Sequence, residues 1–220
     1  MGKDLSLSVV SVKKIFKERI ILNNVDVEFK KGKTYALMGA SGIGKSTFMH
    51  IIAGFDRADF GEVLLNGTSI SSLSFLRRTE KISFVVQEPI MISELSVYEN
   101  LILPMQLLGI GQAEYKRRAE NYLDAVGLLE TKEWHIGQLS GGQRQRVALA
   151  RALMVQPDFL LADELTGNLD DANSKQLVEM LLACQKKWNM GLVISTHDAS
   201  IAQSMGVVFT LKNGILVRTS

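Results

Sequence analysis

Short runs of consecutive apolar residues alternate along this chain with segments whose apolar positions recur every three or four residues. That is the pattern of buried parallel strands interleaved with amphipathic helices. Thr34-Tyr35-Ala36-Leu37-Met38 has strand length, and Phe48, Ile51 and Ile52 follow it at helical spacing. Ile82-Ser83-Phe84-Val85-Val86, Phe159-Leu160-Leu161-Ala162 and Leu192-Val193-Ile194-Ser195-Thr196 read as further strands. Asn66-Gly67 after Val63-Leu64-Leu65, and Asn213-Gly214 between two apolar runs, are hairpin turn signals. Ser96-x-x-Glu99 is a capping box, and Tyr115, Ala119, Tyr122 and Val126 form a helical stripe closed by Gly127. The chain therefore divides by insertion within one α/β domain. A core with an N-terminal β-rich part is expected over 1–87 and 157–220, and a helical subdomain over about 88–156.

The loop between the Thr34 strand and the next helix reads Gly39-Ala40-Ser41-Gly42-Ile43-Gly44-Lys45-Ser46. It matches the P-loop pattern G-x-x-x-x-G-K-[ST] in its required strand–loop–helix context. Gly39, Gly42 and Gly44 permit positive φ and close backbone approach. The N–H groups of the loop and the positive end of the helix can then converge on phosphate oxygens. Lys45 supplies a point charge for the β and γ phosphates, the Ser46 hydroxyl suits Mg²⁺, and Thr47 lies near the α phosphate. The ligand expected from this loop is a nucleotide's phosphates with Mg²⁺.

Asp163 and Glu164 end the Phe159 strand. Four apolar residues ahead of the pair take it off a solvated helix surface, where most such pairs lie, and to the end of a buried strand. There Asp163 is expected to reach Mg²⁺ and Glu164 to act as general base toward the attacking water.

Leu139-Ser140-Gly141-Gly142-Gln143 begins another helix, with Ser140 and Gln143 forming an S-x-x-Q capping box ahead of Val147, Ala150, Leu153 and Met154. The same string is the signature motif of ATP-binding cassette (ABC) ATPases, which P-loop kinases and GTPases lack. With the marks on either side of it, the chain resembles the nucleotide-binding subunit of an ABC transporter from Leu5 to Val217. It is most similar to the bacterial group of lipoprotein-releasing, macrolide-exporting and cell-division ATPases. Thr166-Gly167-Asn168-Leu169-Asp170 and Tyr98-Glu99-Asn100-Leu101 also have the look of that group.

The resemblance implies a P-loop ABC cassette with a mainly parallel core sheet, an N-terminal antiparallel β-subdomain and an inserted helical subdomain. It implies that Ser140, Gly141, Gly142 and Gln143 meet the γ phosphate held by a second copy of the chain. Gln87 corresponds to the Q-loop glutamine, contacting Mg²⁺ or water. His197 corresponds to the histidine that contacts the γ phosphate, and Phe16 to the aromatic that stacks on adenine. Asn168-Leu169-Asp170 corresponds to the loop that crosses the dimer interface. Leu165 and Gly137 depart from the family, standing where prolines are common. The implied protein is an ATPase at the cytoplasmic face of the inner membrane, driving separate transmembrane permease subunits. The permease is expected to dock near Glu88 to Leu108, where Pro89, Ile90, Met91 and Ile92 follow Gln87. The alternative is a soluble ABC ATPase of DNA maintenance or translation, but the coiled-coil or zinc insertions and second cassette of such proteins are missing.

Composition adds exclusions. A net charge of +2 over 220 residues gives no case for a nucleic-acid footprint. The single cysteine, Cys184, excludes an internal disulfide and lies at core spacing with Leu177, Met180 and Leu181. No apolar run approaches the roughly 18 residues of a membrane span. His50 and His135 are expected to be packing or surface residues.

Overall fold

The computed structural model describes residues 5–167 and 170–219. Two sheets organise them. The first is antiparallel, in the order β2-β1-β4-β5, with β1 (Ser6–Phe16) pairing both β2 (Arg19–Lys30) and β4 (Phe60–Leu65), and β5 (Thr68–Ser69) at its edge. Asn66 and Gly67, at φ 54° and 81°, make the turn between β4 and β5.

The second sheet has the order β10-β9-β3-β8-β7-β6. Its strands β3 (Thr34–Met38), β6 (Ile82–Val85), β7 (Phe159–Asp163), β8 (Gly191–Ser195) and β9 (Val207–Lys212) run parallel, and β10 (Ile215–Arg218) turns back against β9. Every residue of β7 and β8 is buried. This explains why those strands read as unbroken apolar runs, since helices and the antiparallel sheet cover both faces.

Helix α1 (Lys45–Ala53) buries Phe48, Met49, Ile51 and Ile52 on one face of the parallel sheet, in a cluster shared with the antiparallel sheet through Leu7, Val9 and Phe29. Helix α2 (Phe75–Lys81) leads into β6. Between β6 and β7 the chain is helical, as α3 (Val97–Leu107), α4 (Gln112–Ala125) and α5 (Gly141–Leu153). The expected stripe on α4 points inward, with Ala119, Tyr122 and Val126 at 2% exposure or less. Ser96 and Glu99 close the expected capping box at the start of α3. Helices α6 (Asp171–Trp188) and α7 (Ala199–Gln203) complete the other face, where Leu177, Leu181 and Cys184 join the larger core cluster. Because β3, β6, β7 and β8 are parallel, their carboxyl ends open on one edge, the place where open α/β sheets bind ligands.

Candidate nucleotide site

Gly39, Gly42 and Gly44 adopt φ values of 153°, 73° and 113° in the turn from β3 into α1. A Cβ on Gly44 would lie 2.6 Å from Ile21 Cγ2, and one on Gly39 would lie 2.9 Å from the Leu211 carbonyl oxygen. Both geometry and space therefore demand glycine there. Among the described residues no side-chain hydrogen bond caps the start of α1, and no acidic residue lies in its first turn. Its first N–H groups are left for an anion. Ala40, Ser41 and Ser46 are exposed, Ile43 and Thr47 are half-buried, and Ile43 packs against the smaller core cluster.

Lys45 lies along the floor of this loop at 5% exposure. Its ammonium donates to the carbonyls of Gly39 at 2.9 Å and Ala40 at 3.2 Å. It also pairs with Glu164 Oε1 at 3.2 Å. The other Glu164 oxygen meets His197 Nδ1 at 2.8 Å. Residues from the ends of three neighbouring strands thus converge on one carboxylate: Lys45 after β3, Glu164 after β7 and His197 after β8.

The backbone at Glu164 makes this possible. Its φ is 50°, an uncommon value for a side chain other than glycine, asparagine or aspartate. Its N–H still donates to the Ser195 carbonyl of β8 at 3.1 Å, and the chain leaves β7 at its positive φ. Ser195 Oγ also donates to Asp163 Oδ1, and Asp163 is 9% exposed. Sequence reasoning missed Ser195. Only the β7–β8 register, which places Asp163 opposite Ser195, reveals it.

Gln87 follows β6 and is half-buried. A Cβ at Gly167 would come within 2.5 Å of Gln87 Nε2, so the glycine lets the loop after β7 lie against the glutamine amide. Phe16, at the end of β1, is 60% exposed and so is no core residue. Lys17 Nζ stands 5.6 Å from its ring centre.

Ser140 and Gln143 close their capping box at the start of α5: the Gln143 N–H donates to Ser140 Oγ at 3.2 Å, and the Ser140 N–H donates to Gln143 Oε1 at 2.8 Å. Ser140 and Gly141 are exposed, Gly142 and Gln143 half-buried. Among the described residues no hydrogen bond or ion pair joins these four to the phosphate loop. Asp170 caps α6 by accepting from the Asn173 N–H at 2.9 Å. That bond and the one from the Asn173 side chain hold its carboxyl below the usual range. Asn168 and Leu169, expected to cross a dimer interface, lie outside the described residues.

Beside Gln87 a groove of about 400 Å³ is lined by Phe75, Leu76, Pro89, Ile90, Pro104 and Leu107 among others. Ile90 is 82% exposed and Leu107 64%. Met91 is partly buried, its side chain packed against the larger core cluster. His50 packs between Phe55 and Phe84, and His135 is exposed, as expected of both. Cys184 is buried, and burial pushes its thiol up to about 11. Among the described residues no helix is long and apolar enough to cross a membrane.

Residues 22–167 match the protein family described as ABC transporter. The lipoprotein-releasing system ATP-binding protein LolD of Saccharophagus degradans is 36% identical over 200 residues, 89% of this chain and 88% of that protein. LolD of Legionella pneumophila (strain Paris) is 38% identical over 200 residues, again 89% and 88% of the two chains. Among solved structures, cbiO1 from Clostridium perfringens, part of the ABC transporter complex cbiONQ, superposes with a TM-score of 0.89 at 27% identity, covering 98% of this chain and 88% of that one. The dimeric structure of MJ0796, a bacterial ABC transporter cassette, gives 0.85 at 32% identity, covering 96% and 97%. A post-hydrolysis state of MJ0796, dimeric and bound to ADP and Pi, gives 0.86 at 31%, covering 97% and 98%.

Proposed function

Because this chain belongs to the ABC transporter family, as one of its ATP-binding and ATP-hydrolysing subunits, we propose that its P-loop holds ATP for hydrolysis by Glu164 across an interface with a second copy. The observation that carries this reading is the Glu164 carboxylate, held between Lys45 and His197 at the mouth of the glycine loop.

In this reading Gly39 to Thr47 wrap the phosphates with backbone N–H groups, and Lys45 neutralises the β and γ oxygens. Lys45 must leave Glu164 to do so, and its departure frees Oε1 to accept a proton from water. As the water oxygen bonds the γ phosphorus and the bond to the bridging oxygen breaks, Glu164 takes that proton, leaving ADP and phosphate. His197 Nδ1 holds the second oxygen of Glu164 and orients it toward the cradle, beside the γ phosphate. Phe16 offers an exposed ring to adenine.

Mg²⁺ would be held by Ser46, Asp163 and Gln87, where it supplies positive charge to the phosphate oxygens. The donor set fits such an ion. Asp163 is fixed by Ser195 at the end of β7, and Ser46 is exposed in the first turn of α1. Magnesium suits this arrangement, since it keeps several waters and uses one or two carboxylates with phosphate.

The signature residues Ser140, Gly141, Gly142 and Gln143 stand outward at the start of α5 and would close on the γ phosphate of the partner copy. We divide the chain into a core with β-subdomain, 1–87 and 157–220, and a helical subdomain over about 88–156. The second provides the groove at Ile90 for a transmembrane permease, which places the protein peripherally at the cytoplasmic face of the membrane. The relatives named for lipoprotein release support that process as its setting.

The test is ATP hydrolysis by the purified chain. The wild type is expected to release phosphate, and Lys45→Ala to lose both nucleotide affinity and turnover, by about a thousandfold in kcat/KM. Undiminished hydrolysis by a folded Lys45→Ala chain would remove the cradle from the mechanism.

A further inference from the structure

The Gln145 side chain lies on the buried side of α5 at 4% exposure, beside both loops that flank the reacting groups. Its Nε2 donates to the Gln87 carbonyl at 3.2 Å and to the Leu165 carbonyl at 2.7 Å. The opposite amide orientation would set Oε1 against two carbonyl oxygens, so only this one fits. Its Oε1 is buried and has no hydrogen-bond partner among the described residues. One turn and a half further along α5, Arg151 Nη2 donates to the Ile90 carbonyl at 2.7 Å. The signature helix therefore grips residues 87–90 at both ends, and at one of those points it also grips the peptide after Glu164.

We propose that Gln145 is a positioning residue for hydrolysis, tying the Gln87 loop and the Glu164 loop to the helix that bears the signature. The inference rests on the function proposed above and deepens it. Both acceptors belong to peptide units of the catalytic loops, one in Gln87 itself and one immediately after Glu164. Removing the amide donors breaks the bonds to both carbonyls and releases both loops from α5. The phosphate cradle is fixed separately, by its glycines and by the Lys45 bonds to Gly39 and Ala40. Gln145 thus acts on the placement of the attacking water and its base, leaving nucleotide binding alone. A segment pressed at Ile90 would move Gln87 and the start of α5 together, since α5 holds both ends of 87–90.

The test compares Gln145→Met, similar in length and without donors, with the wild-type chain, measuring kcat, KM for ATP, equilibrium nucleotide affinity and melting temperature. The expected result is a fall in kcat of about tenfold, with KM and affinity within about twofold. Gln145→Leu, which also lacks the donors and adds no buried charge, should show the same split. Wild-type kcat in a folded Gln145→Met chain overturns the inference, and so does a parallel loss of affinity and kcat. If the wild type itself hydrolyses no ATP, the reading of function fails instead, and this inference with it. Should the variants not fold, hydrogen exchange on the wild type decides: ATP must change protection at 87–90, 165–167 and 141–147 together, and a change in one segment alone contradicts the tie.

Discussion

Lys45 and Ser140 both stand at the first turn of a helix whose N–H groups suit phosphate. Yet Lys45 is 5% exposed and engaged by three oxygens from its own chain, whereas Ser140 is exposed and, among the described residues, its hydroxyl bonds only Gln143. The difference lies in what precedes each helix. α1 follows the central strand β3, flanked by β8 and β9, so the sheet fixes its start. α5 follows a one-turn 3₁₀ segment, Ile136–Gln138, and its start is organised locally by a capping box. The start of α1 is thus built into the fold, whereas the start of α5 satisfies itself locally. In the proposed function a site made from both takes two chains.

That contrast can be broken most sharply at the chemical step. Glu164→Gln keeps the size of the side chain and removes its basicity, so kcat should fall by about 10²–10⁴ while nucleotide still binds. Phosphate-release kinetics together with an equilibrium binding measurement separate the two effects. Near wild-type turnover in the folded variant would move the role of base to another group, His197 first.

A smaller effect sharpens the contrast at the periphery. Ile90→Asp places a charge on a side chain that is 82% exposed in the apolar groove. Basal hydrolysis of the isolated chain should stay within about twofold, because the side chain contacts no phosphate group, while co-fractionation with the permease in membranes should be lost. Retention in the membrane fraction would place docking elsewhere. Met91 is less suited to this test, since its side chain is partly buried against the larger core cluster and a charge there would cost stability.

What the sequence made legible was local. The glycine loop, the capping boxes at Ser96 and Ser140 and the turns at Asn66-Gly67 and Asn213-Gly214 follow from residues a few positions apart, and each appears as read. The central strands were legible because burial on both faces writes them as unbroken apolar runs. The long β1–β2 hairpin was not, because its turn uses Lys17 and Glu18 at φ 46° and 69°, where Asn-Gly would ordinarily signal it. Ser195 and Gln145 were also hidden. Their partners lie 32 residues away for Ser195, and 58 and 20 residues away for Gln145, so only strand register and helix packing bring them together.

The measurement that tests the two-chain site most directly is the mass of the Glu164→Gln chain in solution, by light scattering, with and without ATP and Mg²⁺. The account predicts a mainly monomeric chain without nucleotide, a doubling of mass on adding ATP, and loss of that doubling when Ser140→Arg fills the space meant for the partner's phosphate. A stable ATP-bound monomer at high concentration, with cooperative steady hydrolysis by the wild type, would contradict it.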